Sequence, residues 1–244
     1  MRIDTLEPVK GRTICIADLH GCYDEAVALL EKLQITPDDR VIFVGDFVDR
    51  GPKPRECVEL AMNLGFAVLG NHEEKHLQQQ FSAKDKLKPS HLMTRERLDQ
   101  KHYDWFRSLP LAIVLPEYNA IVVHAGMFPD VPLAQQRPNH LLHIQHINPP
   151  NQKSFWPSKA PPEFSFWTNF WKGPERVIFG HTVMDRPLVT EFAVGIDTGA
   201  CFGGNLTAVV LPGWEIVSVP ETDHSNGRKT VALYGIQGDV KTYS

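Results

Sequence analysis

Acidic, amide and histidine side chains recur beside glycines at five places in this sequence of 244 residues. Carboxylate, imidazole and amide-oxygen atoms are the protein donors that bind divalent metal ions. The adjacent glycines allow tight turns and a close approach of the backbone to an anion. The candidate donors are Asp18, His20, Asp46, Asn71, His124 and His181. Their types and repetition favour a metal site that acts on an anionic group over a set of unrelated structural histidines.

Each group of candidate donors follows a short apolar segment that is typical of a β-strand. These predicted strands cover residues 13–17, 41–44, 66–69, 120–123 and 177–179, and further strands are predicted at 194–196, 206–211 and 215–219. Helical patterns separate the first three strands, one capped by Asp24 and one beginning at Pro54, and Thr94 is predicted to cap a third helix. Strand–helix–strand connections of this kind predict parallel strands. Because the carboxyl ends of parallel strands share an edge, we expect the donors to converge there.

The ordered series of motifs resembles the signature of the metallophosphatase (calcineurin-like phosphoesterase) superfamily. The motifs are DLHG at 18–21, GDFVDRG at 45–51, GNHE at 70–73, HAG at 124–126 and GHT at 180–182. They are similar to those of the phosphoprotein phosphatases, including bacteriophage lambda protein phosphatase, and of the symmetrical diadenosine tetraphosphate hydrolases. The resemblance spans about residues 13–211 and is looser at 129–174. It implies an α/β fold with α-β-β-α layers, a β-sandwich flanked by helices.

The resemblance also implies a centre of two divalent metal ions, with Mn²⁺ expected and iron or zinc also compatible. One ion would be held by Asp18, His20 and Asp46, and the second by Asp46 as a bridge together with Asn71, His124 and His181. Two ions about 3.5–4 Å apart generate a hydroxide that attacks phosphorus in line. The implied enzyme is therefore a phosphohydrolase.

The catalytic roles implied by the resemblance fall on three further side chains. Arg50 would bind the phosphate oxygens through its planar guanidinium. His72 would protonate the leaving oxygen, and Asp49 would orient it. Asn71 and His124 are expected to contact the substrate as well as a metal ion. Glu73 is expected to cap or orient rather than to catalyse.

Four positions bear on the class of substrate, and they favour different classes. Val183 stands where nucleases of this fold carry a second histidine, which disfavours a nuclease. Asp49 favours a phosphoprotein phosphatase, whereas Leu69 favours a tetraphosphate hydrolase. Gln145 occupies the place where a second phosphate-binding arginine is expected. The first prediction is a phosphomonoesterase resembling protein phosphatases, and the alternative is a symmetrical dinucleoside polyphosphate hydrolase. A catalytically silent binding module is disfavoured because no predicted ligand is missing.

Prolines crowd residues 129–174, where the hydrophobic periodicity fades, and this segment is predicted to be an irregular cap. Its aromatic residues are Phe155, Trp156, Phe164, Phe166, Trp167, Phe170 and Trp171. The spacing of Phe166 to Phe170 and of Trp167 to Trp171 fits one helix. Packing of the cap onto the sheet is the favoured interpretation. A stacking wall for a nucleoside base, with Trp167 in it, is the alternative.

The length allows one large domain or two small ones, and a single domain is predicted over residues 1–244, with a core at about 13–219 and a polar tail at 220–244. The 25 basic and 29 acidic residues give a formal net charge of −4, which disfavours binding to duplex nucleic acid. No segment has the length and hydrophobicity of a membrane span or signal peptide, and four unpaired cysteines suit a cytoplasmic protein. The expected partner is a phosphorylated protein or a nucleotide-type small molecule, and the sequence gives no oligomeric state.

Overall fold

The computed structural model describes residues 1–151, 153–222, 232–234 and 240–242. In chain order the strands are β1 (Ile3–Thr5), β2 (Thr13–Ile16), β3 (Arg40–Phe43), β4 (Gly65–Ala67), β5 (Ala112–Leu115), β6 (Ala120–Val123), β7 (His146–Asn148), β8 (Lys153–Phe155), β9 (Ser165–Phe166), β10 (Arg176–Phe179), β11 (Leu188–Val189), β12 (Ala193–Gly195), β13 (Asn205–Leu211), β14 (Glu215–Pro220), β15 (Ala232–Tyr234) and β16 (Val240–Thr242). The α-helices are α1 (Tyr23–Leu33), α2 (Pro54–Leu64), α3 (Asn71–Gln79), α4 (Pro89–Arg97), α5 (Gln100–Ser108) and α6 (Pro138–His143).

Two mixed sheets hold most of these strands. The five-stranded sheet has the order β14-β13-β2-β3-β4, in which β2, β3 and β4 are parallel and β13 is antiparallel to β2. The six-stranded sheet has the order β1-β5-β6-β10-β12-β11, with β6, β10 and β12 parallel. All eight predicted strands are present with ends within two residues of the prediction. Strands β1, β5 and β11 of the six-stranded sheet were not predicted from the sequence.

The hydrophobic core lies on both faces of the six-stranded sheet. Ala120 and Val122 of β6 belong to the cluster that contains Ile14 and Ile16 of β2, whereas Ile121 belongs to a second cluster with the cap. This alternation follows from the two-residue period of a strand. Apolar faces of α1 and α2 join the first cluster. The α/β sandwich predicted from the sequence is therefore confirmed.

The cap at 129–174 is more regular than its sequence predicts. It contains α6 and a three-stranded antiparallel sheet with the order β8-β7-β9. The single helix predicted from the aromatic spacing is wrong, because Phe166 ends β9 and residues 167–169 form one 3₁₀ turn. Trp167 is fully buried, and its ring meets Phe179 of β10 edge-on at 5.0 Å. The cap therefore covers the outer face of the six-stranded sheet.

Two predicted helix caps are also wrong. Thr94 lies within α4 rather than at a helix start, and Asp99 precedes the next helix, where its N–H donates to His102 Nδ1 at 2.8 Å. Asp24 lies inside the first turn of α1, with Cys22 at the N-cap. Thr94 is fully buried, so packing and not local capping chemistry decides its place.

In the predicted tail at 220–244, β15 and β16 pair in antiparallel orientation, and residues 223–231, 235–239 and 243–244 lie outside the described residues. The four cysteines are buried free thiols. Among the described helices, none combines the length and apolarity that crossing a membrane would require.

Candidate metal centre

The predicted donors meet where strands of the two sheets end. Asp18 and His20 follow β2, and Asp46 follows β3. His124 and His181 follow β6 and β10 of the second sheet. Asn71 opens α3, four residues beyond β4. The structure thus brings together side chains separated by up to 163 positions in the chain.

Asp46 lies between two groups of donor atoms. Its Oδ2 is 3.4 Å from His20 Nε2, and its Oδ1 is 3.5 Å from His124 Nε2. One compact group contains His20, Asp46 and His72, and another contains Asp46, His124 and His181, with the atoms of each within 4.8 Å of one another. Asn71 Oδ1 lies 2.8 Å from His124 Nε2. A carboxylate whose two oxygens face different donor groups has the arrangement of a bridging ligand.

Backbone carbonyls orient two of these imidazoles. His20 Nδ1 lies 2.8 Å from Val48 O, and His124 Nδ1 lies 2.8 Å from Val44 O. A ring that donates Nδ1–H to a carbonyl keeps its lone pair on Nε2, which is the atom that faces Asp46 in both cases. These contacts therefore select the tautomer that can bind a metal ion.

The Asp18 side chain is held close to His181 by the backbone N–H of His181. Both of its oxygens accept from the N–H of His181, at 3.1 Å each. The approach is so close that a Cβ on Gly180 would collide with Asp18 Oδ1, so only glycine fits there. This is the physical reason for the glycine before His181.

Burial sets the charge states of the site. Burial lowers the pKa values of His20 and His181 well below the ordinary range, which leaves neutral imidazoles. Burial opposes ionisation of Asp46, but His124, His72 and His20 outweigh it and hold the pKa of Asp46 below its usual value. Burial, together with Asp197 and Asp46, raises the pKa of Asp18 well above its usual value. Buried acids crowded in this way are stabilised by bound cations.

The donor set fits divalent metal ions. His181 Nε2 is buried and has no hydrogen-bond partner among the described residues, so it is free to act as a ligand. Neutral imidazole, ionised carboxylate and amide oxygen together suit Mn, Fe or Zn. The residues that would hold the ions are those predicted from the sequence.

Five of the site residues have a left-handed backbone conformation. The φ angles are 44° for His20, 52° for Asp46, 68° for Asp49, 69° for Arg50 and 63° for His181. Such conformations cost non-glycine residues about 1–3 kcal/mol each and concentrate at functional sites. The chain turns sharply at these points so that the side chains reach one edge.

Asp49 is the centre of a buried hydrogen-bond network beside the donor groups. Its Oδ2 is 2.6 Å from His72 Nδ1, and its Oδ1 is 2.9 Å from His76 Nε2. The Thr94 hydroxyl donates to Oδ1 at 2.8 Å, and His91 Nε2 is 3.4 Å from Oδ2. Burial opposes ionisation of Asp49, but the hydrogen bonds from His72 and His76 hold its pKa below the usual range. The carboxylate is therefore charged and orients His72.

His76, His91 and Thr94 are the members of this network that sequence reasoning missed. The two histidines were given no role, and the threonine was assigned to a cap. His76 lies four residues after His72 on α3. This helical spacing is the signal from which a shared face of the two histidines could have been predicted.

Arg50 is exposed and lies beside His72. One guanidinium nitrogen is 3.3 Å from His72 Nε2, and the guanidinium carbon stacks over the Phe202 ring at 4.7 Å. Stacking on an aromatic face leaves the edges of a guanidinium free to donate to an anion. Arg50 can therefore bind phosphate oxygens next to His72.

Glu73 performs the orienting role expected of it. The side chain is fully buried, and its Oε2 accepts from the N–H groups of Asp46 at 2.9 Å and Gly70 at 3.2 Å. Its Oε1 accepts from the N–H groups of Phe47 at 2.9 Å and Val48 at 3.3 Å. One carboxylate thereby ties the loop that carries Asp46 to the start of α3.

Gln145 of the cap was considered from the sequence as a position for phosphate binding, but the cap residue that lies near the metal centre is His143. Gln145 is only 2% exposed. The ring of His143 instead lies 6.3 Å from that of His181, and its Nε2 is 3.1 Å from Glu74 Oε2. The cap therefore reaches the metal centre through His143.

These features match a known family. A family model described as calcineurin-like phosphoesterase matches residues 11–194, and the chain belongs to that family. The chain is accordingly an enzyme that hydrolyses phosphoric esters or anhydrides, with divalent metal ions at its centre.

Curated relatives cover almost the same length. The chain is 30% identical over 235 residues to a bis(5'-nucleosyl)-tetraphosphatase PrpE [asymmetrical] of Bacillus cereus strain AH187, covering 85% of this chain and 93% of the relative. It is 29% identical over 231 residues to the protein of that name from Halalkalibacterium halodurans, covering 84% and 92%.

Solved structures agree with the fold. A crystal structure described as a candidate diadenosine tetraphosphatase superposes with a TM-score of 0.79 at 31% identity, covering 91% of this chain and 98% of that one. A protein serine/threonine phosphatase of Saccharomyces cerevisiae superposes with a TM-score of 0.59 at 17% identity, covering 91% and 84%. The second match shows the fold alone.

Proposed function

We propose that the protein hydrolyses dinucleoside polyphosphates asymmetrically, so that diadenosine tetraphosphate yields AMP and ATP. The observation that carries this proposal is the similarity to relatives named asymmetrical tetraphosphatases, which extends over 93% of the relative's length. It favours the alternative considered from the sequence over the phosphoprotein phosphatase. It also favours asymmetrical cleavage in place of the symmetrical cleavage considered there.

The residues of the site have defined roles in this proposal. Asp18, His20, Asp46, Asn71, His124 and His181 would hold two divalent ions, with Mn²⁺ as the expected metal. Ions bound there would lower the pKa of a water molecule between them and neutralise phosphate charge. Arg50 donates to the phosphate oxygens, and Asn71 and His124 border the same space.

His72 carries the proton that the reaction needs. The contact of its Nδ1 with Asp49 orients the ring, and Nε2 on the opposite side of the ring would donate the proton to the leaving oxygen. A bond forms between a water oxygen and the α-phosphorus, and the bond from that phosphorus to the bridging oxygen breaks. The leaving oxygen of ATP takes the proton of His72, and the attacking water supplies a proton in return.

The test is the set of products formed by the purified, Mn²⁺-loaded enzyme. We expect diadenosine tetraphosphate to give AMP and ATP in equal amounts on an anion-exchange column. A phosphoserine peptide in a parallel reaction should be cleaved at least tenfold less efficiently. Two molecules of ADP would contradict asymmetrical cleavage. A higher kcat/KM on the phosphoserine peptide would restore the phosphoprotein phosphatase as the better assignment.

A further inference from the structure

One aromatic side chain of the cap is left in solvent at the edge of the metal centre. Trp156 is 57% exposed, and its ring centre lies 5.7 Å from that of His181 with the planes tilted by 43°. Its neighbours in the cap are buried, with Trp167 at 0%, Trp171 at 5% and Phe166 at 9% exposure. Trp156 is therefore set apart from the side chains that pack the cap onto the sheet.

The backbone around Trp156 is held in place. Phe155 pairs with His146 across β7 and β8, and its ring meets Phe164 edge-on at 4.9 Å. The N–H of Lys159 donates to Trp156 O at 2.8 Å and closes the turn that follows. An indole carried on such a backbone is a preformed surface, so binding to it costs little conformational entropy.

We infer that Trp156 stacks on the base of the nucleoside whose α-phosphate is attacked, an inference that rests on the proposed function. An exposed indole face binds any nucleobase, and such stacking contributes about 1–3 kcal/mol per base. Because Trp156 contacts a metal-ligand candidate, a base on it is separated from the donor groups by little more than one ribose. The phosphate at the metal centre is then the one nearest to that nucleoside, which accounts for cleavage that releases AMP.

The charge of the flanking segment suits the same ligand. Lys153 and Lys159 stand three residues before and after Trp156, and both are exposed. In a chain with a formal net charge of −4, two exposed cations on the segment that carries Trp156 favour an anionic polyphosphate.

Three variants test the stacking. Trp156→Ala should raise KM for diadenosine tetraphosphate about tenfold, which corresponds to about 1.4 kcal/mol. Trp156→Phe keeps an aromatic face and should recover most of this loss, whereas Trp156→Leu keeps bulk without aromaticity and should not. Phe81→Ala is the matched control, because Phe81 is 90% exposed beyond the carboxyl end of α3 and outside the site. It should leave KM unchanged.

Two readouts do not depend on steady-state turnover. Titration with AMP should quench the tryptophan fluorescence of the wild type and of Phe81→Ala, and the quenching should be lost in Trp156→Ala. A single turnover in ¹⁸O-labelled water should place the label in AMP.

Each outcome separates this inference from the proposed function. A wild-type enzyme that leaves the dinucleotide intact, yet shows AMP quenching that depends on Trp156, would refute the proposed function and keep the stacking surface. An unchanged KM in Trp156→Ala, equal losses in the phenylalanine and alanine variants, or label found in ATP would overturn the inference while tetraphosphatase activity stands.

Discussion

At the scale of single residues, His72 has a partner on each ring nitrogen. Nδ1 lies 2.6 Å from Asp49 Oδ2, and Nε2 lies 3.3 Å from Arg50. The side chain is half-buried, and its ring meets that of His20 edge-on at 4.7 Å. The imidazole is thus fixed between the buried Asp49 carboxylate and the Arg50 guanidinium, a geometry that suits the general acid proposed above.

Replacing His72 with asparagine should remove the proton donor and leave the ions in place. General acid catalysis contributes roughly 10²–10⁴ in rate, so kcat should fall by that factor. The measurement is kcat on diadenosine tetraphosphate, together with metal content by elemental analysis. His102→Asn, at a buried histidine whose Nε2 faces Glu59, should keep the wild-type kcat. A wild-type rate in the His72 variant would remove His72 from the mechanism.

At the scale of elements, the start of α3 is joined to the loop after β3 by a single side chain. Glu73 accepts four backbone N–H groups, from Gly70 and from three consecutive residues beginning at Asp46. The side chain of Glu74, its neighbour on the helix, instead lies 3.1 Å from His143 Nε2 of the cap. The position of the Asp46 carboxylate, the predicted bridging ligand, therefore depends on a fully buried residue of α3.

Glu73→Gln should loosen that loop, because an amide nitrogen would face N–H groups that need an acceptor. We expect a loss of about 1–3 kcal/mol in the free energy of unfolding, the cost of unsatisfied buried groups. Mn²⁺ affinity should weaken as well. Urea denaturation and metal titration measure the two effects, with Glu74→Gln as the matched control. Identical stabilities in the two variants would show that Glu73 does not hold the loop.

In the cap, one tryptophan packs against the six-stranded sheet and another is exposed beside the metal centre. Trp167 lies against Gly126, whose φ of 151° and lack of a Cβ allow the indole to sit on the backbone beside His124. Buried in this way, Trp167 fills the packing role favoured from the sequence and is not available to a nucleoside. Stacking on a nucleoside base, which was considered for Trp167 from the sequence, is instead proposed for Trp156.

At the scale of the whole molecule, several acidic side chains are buried close to one another at the candidate metal centre. Asp18, Asp46, Asp49, Glu73 and Asp197 are all at most 4% exposed. Burial raises the pKa of Asp197 to about 6. A fold that gathers this many acids at one edge gains stability when cations bind there.

Metal binding should therefore raise the melting temperature. At a Mn²⁺ concentration of 100 times Kd, linkage contributes about 2.7 kcal/mol. For a chain of this size that corresponds to a rise of about 5–10 °C over the protein treated with chelator. The measurement is thermal unfolding with and without Mn²⁺, and Asp46→Asn should show little response. Equal shifts in both proteins would place the stabilising ions elsewhere.

The sequence alone was sufficient to predict the strands and to name the candidate donors that follow them, and the roles of those donors as metal ligands stay predictions. Strand periodicity and turn residues are local patterns, so β2, β3, β6 and β10 were located with their following Asp or His. The recurrence of metal-binding residue types after each strand then predicted a shared edge. The single-domain organisation, the Mn²⁺ preference and the cytoplasmic location stay predictions.

Only the tertiary structure decided how these parts meet. The gathering of His76, His91 and Thr94 around Asp49 depends on the packing of α3 and α4, and no local pattern encodes such contacts. Whether Trp156 or Trp167 is exposed depends on which one the sheet covers, since both have the same intrinsic preference for burial. Long-range burial and hydrogen bonding arise from distant segments together. For that reason the candidate donors, Asp49 and Arg50 could be named from their motifs, whereas the contacts of His76, His91 and Thr94 and the exposure of Trp156 could not be predicted from the sequence.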